Sequence, residues 1–493
     1  MLSGAPSAHA AATATATKAI DWLEGQMAAN GHHLKSGFTD ENNQFQTFDD
    51  PGLTIDGLLG AAAAGRAGDA EATATSAWMA DNVDNYVSFG DPNTLFAGAL
   101  GKSIVYAVVY DKDFNHLDGH DLEADLRGRQ RSNGRFTDKS TFNGQPSDFS
   151  NGITQALDVL ALAATDNGAP TTAVNYLLLQ QCANGGFRET LGDTKCADNS
   201  KASADATSFA LMALDALDSS TAVDAALDAG ADYLASVQAT SGAFTGAAGE
   251  SANSTGLAGS VLRGLGDAPR ANKGATFVKS VQLTTGDNAG AILGNKDDYD
   301  DAVANGLDAQ GKTLAARATA QGVLALGLPT YPRIGIDAPV EPATTEALSS
   351  SSVPEGGTVT VSGGGFATGE KVKVTVASDP VTVGEPVAGN SGAMSLTFTL
   401  PASIGAGSHT VTLLGESSGV TISAPLTVTA AATTSTTAGP SGATTTSTTV
   451  RSAIVRTGSG TGDQAQIAVG LVALGGALLL ATRRRRIVYP FHK

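Results

Sequence analysis

The stretch QQCANGGF, Gln180 to Phe187, places two amides, a Gly-Gly turn and a phenylalanine between two helical runs. It has copies. RQRSNGRF ends at Phe136 and VQATSGAF at Phe244, and Phe38 stands in the same place near the start of the chain. Upstream of these turns an aromatic residue followed by a hydrophobic one recurs at Trp22-Leu23, Trp78-Met79, Tyr176-Leu177, Tyr233-Leu234 and Phe277-Val278, with Asp125-Leu126 as the deviating copy. An amide follows every step, at Gln26, Asn82, Gln130, Gln180, Gln238 and Gln282. Self-similarity with a period of roughly fifty residues means one supersecondary unit repeated along the chain.

Each unit continues into a second stretch with alanine and leucine at helical spacing, clearest in DATSFALMALDAL from Asp205 and ATAQGVLALGL from Ala318. A threonine marks it at Thr54, Thr94, Thr207, Thr255 and Thr319. A single pair of helices cannot bury its apolar faces, so the pairs must stack. The small-residue second helices suit an inner ring, and the first helices, with their aromatics and charges, an outer one. The expectation is an all-α (α/α)6 toroid over residues 17–328.

This repeat, with its Gln, its Gly-Gly-Phe turn and its threonine-bearing helix, resembles the α/α toroid of terpenoid cyclases and protein prenyltransferase β subunits, the squalene oxidase repeat, shared with cobalamin carriers of the intrinsic-factor type. The resemblance implies a barrel that serves enzymes, carriers and thioester proteins alike. The cyclase acid string is matched by Asp298-Tyr299-Asp300-Asp301, but in what reads as a loop, with the inner helix beginning near Arg317. Aromatic content is 5% with two tryptophans, thin for a cavity that stabilises cations. Prenyltransferase zinc chemistry lacks its ligands: Asp198 follows Cys196, and no histidine comes after it until His409. The acidic run from Asp111 has His116 where a calcium loop needs glycine. No metal, cofactor or catalytic residue is assigned.

Inner helices that start at one end direct their unpaired N–H groups to a common mouth, which favours anionic or polar ligand groups. Asp148, Asn151, Gln155, Asp205, Asn253 and Arg317 are the candidate ligand residues there. Asp and Asn also read as helix caps, whereas Arg317, a cation at a helix start, calls for a partner or a ligand.

The net charge of −18 disfavours nucleic acid as a partner. Cys182 and Cys196 are the chain's two cysteines, and in an extracellular chain such a close pair makes a disulfide. Residues 329–344 are Pro-rich and read as a stiff linker. Residues 345–429 alternate polar and β-branched side chains between glycine turns, the pattern of a small β-sandwich, and resemble bacterial immunoglobulin-like modules. Residues 430–453, nearly all Ala, Thr, Ser and Gly, read as a stalk.

From Gln464 to Thr482 no residue is charged, and a helix of that length is roughly 28 Å long, enough to span a bilayer. Residues 483–493 begin with four arginines, which hold the C-terminus in the cytoplasm. Just upstream, Ile454, Val455, Arg456, Thr457 and Gly458 resemble the sortase sorting signal, departing from it with Ile454 for leucine and Val455 for proline. At the other end, residues 1–16 read as the remainder of a cleaved leader. The expected protein is extracellular and held at the cell surface by its membrane helix or by sortase linkage to the wall. Its toroid would bind a small molecule or a surface macromolecule without catalysis. The alternative is an extracellular enzyme of the prenyltransferase or terpene cyclase type, or one acting on polysaccharide. A wide aromatic-lined cavity with a buried carboxylate would favour the enzyme, and a collapsed one the binder.

Overall fold

The repeat is read in the coordinates from its second helices. In the computed structural model, which describes residues 13–430 apart from 143, 247–248, 338–347, 365, 367–368, 378–379, 390–392 and 417–420, fourteen helices are described. Six of them, α2 (Pro51–Ala63), α5 (Ala97–Val109), α7 (Gly152–Ala163), α9 (Ala204–Asp215), α11 (Ala252–Gly264) and α14 (Ala309–Gly322), pack each on the next, and α14 returns to α2. The ring therefore closes. Its neighbours run parallel, because residues pair in rising order: Arg317 with Asp50 and Gln321 with Asp56.

Outside lie α1 (Ala14–Ala29), α3 (Ala70–Ala80), α4 (Val83–Val87), α6 (Leu122–Arg127), α8 (Thr171–Leu179), α10 (Thr221–Val237) and α12 (Ala268–Ser280), with α13 (Lys296–Asn305) between α12 and α14. Trp22 and Trp78 are on α1 and α3, as expected for the outer layer. The first outer helix begins at Ala14, and its cap Thr13 reaches the carbonyl of Leu326. Residues 14–16 thus belong to the ring and not to the leader.

Three side-chain devices explain why the repeat is spelled as it is. Gln181, Gln238 and Gln282 each donate to the carbonyl of their own turn glycine and to one on the following outer helix, at Ala226, Arg270 and Thr15. The last bond joins the end of the ring to its beginning. Secondly, Gly134, Gly185, Gly242 and Gly290 hold positive φ where an added Cβ would overlap a carbonyl of that outer helix, so only glycine fits. Thirdly, the hydroxyls of Thr54, Thr207, Thr255 and Thr319 accept from the N–H of Leu34, Phe187, Phe244 and Ile292, each at 2.9 Å, and Gln155 does the same for Phe136. These bonds tie each turn to its own inner helix. Two details differ from the sequence reading: the stapling amide of the fourth copy is Gln181, not Gln180, and Thr94 lies in a turn before α5, bonded to Asp91.

Four of the outer-to-inner connections carry short antiparallel hairpins: β1 (Lys35–Thr39) with β2 (Phe45–Asp49), β3 (Ser140–Phe142) with β4 (Gln145–Ser147), β5 (Phe187–Arg188) with β6 (Ala202–Ser203), and β7 (Phe244–Gly246) with β8 (Gly249–Ser251). The disulfide Cys182–Cys196 closes the connection that holds β5 and β6.

The Pro-rich stretch is a linker only in part. After Gly327, at φ +88°, the chain turns back and Tyr331 is buried in the helical core at 3% exposure. Residues 329–337 belong to the ring.

The C-terminal part is β-rich. A five-stranded sheet has the order β12 (Val381–Gly384), β11 (Val372–Ala377), β14 (Gly407–Gly415), β15 (Thr421–Thr429) and β9 (Ser352–Pro354), and β10 (Thr358–Gly363) pairs with β13 (Met394–Thr399). Val359, Val361 and Phe398 of the pair share one apolar core with Val372, Val374, Val376, Leu413 and Leu426 of the sheet. The period-two pattern thus becomes inward and outward faces. No helix among the described residues is long and apolar enough to cross a membrane. The stalk beyond Ala430, the motif Ile454 to Gly458, the run Gln464 to Thr482 and the arginine block lie outside the described residues.

Candidate functional site

Counting from the threonine devices aligns the inner helices. Pro51, Gly152, Ala204 and Ala252 are each the first residue of a helix and stand three residues before the aligned Thr or Gln. On α14 the same offset from Thr319 reaches Ala316, yet that helix begins at Ala309, capped by Asp308. Arg317 is therefore well inside α14, although it is level with the starts of its neighbours. This corrects its placement as a helix-start cation. The string Asp298-Tyr299-Asp300-Asp301 is likewise no loop: it lies within α13, whose N-cap is Asn295.

At the mouth the caps come first. Asp50 accepts from Leu53 N at 2.9 Å, Ser203 and Ser251 cap α9 and α11, and Asn151 forms a reciprocal capping box with Thr154. Within the first turn, two residues past the caps, are Asp205 and Asn253, and Arg317 is level with them. The cation that called for a partner has one: Arg317 donates to Ser36 Oγ at 2.5 Å and to Asp50 Oδ2 at 3.2 Å. Asn253 donates to the Arg317 carbonyl and to Gln321. Asp148 takes Arg135 at 2.8 Å, and Gln155 is used up by Phe136 and Gly134.

Asp205 differs. Burial pushes its carboxyl up to about 6, against a hydrogen bond from Ser254 and with Glu189 adding to the rise. Its Oδ1 has no hydrogen-bond partner among the described residues. It is the candidate with acceptor capacity to spare.

Deeper still, the ring has an electrostatic centre that the sequence reading missed. Asp56 of α2 and Lys102 of α5, both 1% exposed, pair at 2.6 Å. Lys102 also donates to the Gly52 carbonyl at 2.8 Å, and Asp56 takes Gln321 at 3.3 Å and the Tyr331 hydroxyl at 3.5 Å. Burial raises the Asp56 carboxyl while Lys102 lowers it. A signal was available: PGLTIDGLLGAAA and AGALGKSIVYAVV each hold one charge in an apolar helix, and such charges need each other. Tyr331 completes the filling, with Phe209 on its far side at 6.4 Å between ring centroids. The chain end is pinned by Arg333, which binds both oxygens of Asp215 at 2.6 and 2.7 Å.

On α7, Asp158 is 0% exposed, and neither carboxyl oxygen has a partner among the described residues. Burial, with Asp138 adding to it, holds this carboxyl protonated well above the usual range.

All residues from Gly52 to Ala63, from Ala97 to Ala107 and from Gly152 to Leu162 are buried, as are Ala206 to Leu214 and Ser254 to Leu262. Over these described spans the five helices present little accessible surface. Among the described residues no group of three or more His, Cys, Asp or Glu is placed to hold a metal ion.

No family model matches the chain, and no curated protein matches it in sequence. Solved structures similar to it include the type II terpene cyclase MstE from Scytonema, without ligand, at 12% identity and a TM-score of 0.45, covering 63% of this chain and 96% of that one. A form of the same cyclase in complex with geranylgeranyl dihydroxybenzoate stands at 13% and 0.45, covering 63% and 95%. A protein from Actinoplanes stands at 16% and 0.41, covering 63% and 97%. At such identities and scores nothing about activity passes from them to this chain.

Proposed function

We propose that this is an extracellular, surface-held binding protein whose helical ring takes its ligand at the mouth, around Asp205, without catalysis. The observation that carries the reading is the filled interior. Five inner helices buried over most of their length, a buried ion pair between two of them and Tyr331 seated against that pair support a centre taken up by the protein's own side chains. A cyclase-type reaction needs that space for its substrate. The disulfide supports an oxidising compartment. The apolar run and arginine block of the sequence support retention at a membrane, and Ile454 to Gly458 supports sortase linkage to the wall. The β-rich part, as an immunoglobulin-like spacer, and the Ala/Thr-rich run would hold the ring away from the surface.

Protease treatment of intact cells, followed by native mass spectrometry of the released fragment, tests the reading. Release before lysis, with a non-covalent mass that Asp205→Asn loses, is the expected result. Release only after lysis sinks the surface placement. One observation favours a second reading: a carboxyl raised to about 6 with a free oxygen is what an enzyme that protonates an isoprenoid or a glycoside would use. Turnover of either class that disappears in Asp205→Asn would decide for the enzyme.

A further inference from the structure

The third repeat turns on RQRSNGRF, Arg129 to Phe136, and its three arginines share one face. Arg131 N donates to the Arg135 carbonyl at 2.8 Å, Thr137 N to the Arg129 carbonyl at 3.1 Å, and Gln130 bridges to Phe136 between them. In such an antiparallel ladder, residues directly opposite and residues two apart point the same way. Phe136 enters the core at 0% exposure, so Arg129, Arg131 and Arg135 stand together on the other face. The ladder recurs in the later copies, through Cys182 N to Gly186 O, Ala239 N to Ala243 O and Leu283 N to Ala291 O. There the three arginine positions are held by Gln180, Cys182 and Gly186, by Val237, Ala239 and Ala243, and by Val281, Leu283 and Ala291. The turn therefore folds without a cation at any of them.

We propose that this face binds a phosphate group. The chain carries a net charge of −18, yet the side chains of Arg129 and Arg131 make no ion pair or hydrogen bond among the described residues. Arg131 is exposed and Arg129 partly buried. Arg135 is oriented through one nitrogen, by Asp148 at 2.8 Å and Ser150 at 3.1 Å. The Nε atoms of Arg129 and Arg135 are shut off from solvent and have no acceptor among the described residues, and buried donors without an acceptor are rare. Asp193 meets this turn through Asn133 and not through an arginine. A carboxylate is satisfied by one guanidinium through two parallel bonds. A phosphate group has three terminal oxygens and close to two charges near neutral pH, which matches the two unpaired guanidiniums, with Arg135 beside them. Asp205 takes no part, so this proposal and the reading of the mouth can fail separately.

Isothermal titration of the full chain with sodium phosphate at fixed ionic strength tests it, with glycerol phosphate and sodium acetate in parallel. The expected result is saturable one-site binding of phosphate, with acetate about ten-fold weaker. Arg129→Gln and Arg131→Ala install the residues that the fourth and fifth copies place at those positions. Each should keep the parent melting temperature and weaken phosphate binding about ten-fold. The double variant should abolish it, and Asp205→Asn should leave it unaltered. Glycerol phosphate bound as tightly as inorganic phosphate, or better, supports the site as one for a phosphate ester, and weaker binding supports it as one for the free ion. No saturable heat with either phosphate, parent affinity in either single variant, acetate bound as tightly as phosphate, or loss of binding in Asp205→Asn would each overturn the proposal.

Discussion

The interior of the ring and its mouth treat the carboxylates Asp56 and Asp205 in opposite ways. In the interior Asp56 meets Lys102, Gln321 and the Tyr331 hydroxyl, and at the far end Asp215 meets both arms of Arg333. At the mouth Asp205 has the Ser254 hydroxyl and an oxygen with no hydrogen-bond partner among the described residues. Asp56 and Asp215 each meet a cation, whereas Asp158, near the level of Asp56 on α7, has a partner on neither oxygen among the described residues. Asp205 answers burial by holding its proton to higher pH. The matched pairs are architecture, Asp158 is sealed in the interior, and Asp205 is the unmatched carboxyl at the mouth, where a ligand can still gain.

The largest effect that could break this comparison comes from halving the matched pair. Asp56→Ala strands Lys102 in the core and is expected to cost about 3–5 kcal/mol, whereas Asp56→Leu combined with Lys102→Met should return close to the parent. Urea denaturation of the three chains measures it. If the single variant costs less than the double, the pair is not the centre of the ring. At the mouth, Gly242→Ala should cost about 2 kcal/mol, since its φ of +90° and the adjacent Lys273 carbonyl leave no room for a side chain. An unchanged melting temperature would show that the turns are not what spaces the outer helices. Arg333→Ala should cost about 1 kcal/mol, because its pair with Asp215 is only partly buried, with side chains 32% and 16% exposed. It should also make the segment around Tyr331 cleavable by protease, and continued resistance would mean that Tyr331 seats itself without Arg333.

The smallest effect has a sign set by pH. Because the Asp205 carboxyl is raised from its ordinary value to about 6, its protonated form is favoured in the fold. That contribution is complete below the unfolded pKa near 4 and is lost as pH rises to about 6. Asp205→Asn should therefore be neutral near pH 4 and stabilise by about 1 kcal/mol above pH 6. A stability difference that does not change between those pH values would place Asp205 in water and remove it as the distinctive residue of the mouth. His120 runs the same way from a different cause: burial lowers its pKa, but Asp125 and Asp84 more than offset this and leave it raised. Its contribution is present below about pH 6.5 and fades as pH climbs through its folded value.

Much of the ring was legible because its devices are local. An amide, a positive-φ glycine and a threonine each act within one unit or on the next, so they recur at the unit's period and show in the letters. The β-rich part was legible for a similar reason, since Val372, Val374 and Val376 face one core while Lys373 and Thr375 do not. The site was not. Of the six mouth residues named from the sequence, Asp148, Asn151, Gln155, Asn253 and Arg317 spend their polar groups on caps, turns and each other, and only Asp205 keeps an oxygen free. A cap and a ligand-binding acid have the same spelling, because the difference lies in which neighbour arrives.

By itself the amino-acid sequence determined the unit, its number of inner helices and the disulfide partners, all matters of short-range spacing and of which residues tolerate a turn. Only the tertiary structure decided that Asp56 faces Lys102, that Asp50 takes the charge of Arg317, that α14 overruns its neighbours and that Tyr331 turns back into the core. These depend on groups up to the whole circumference of the ring apart, brought together when it closes, and no periodicity along one chain records what stands across a ring.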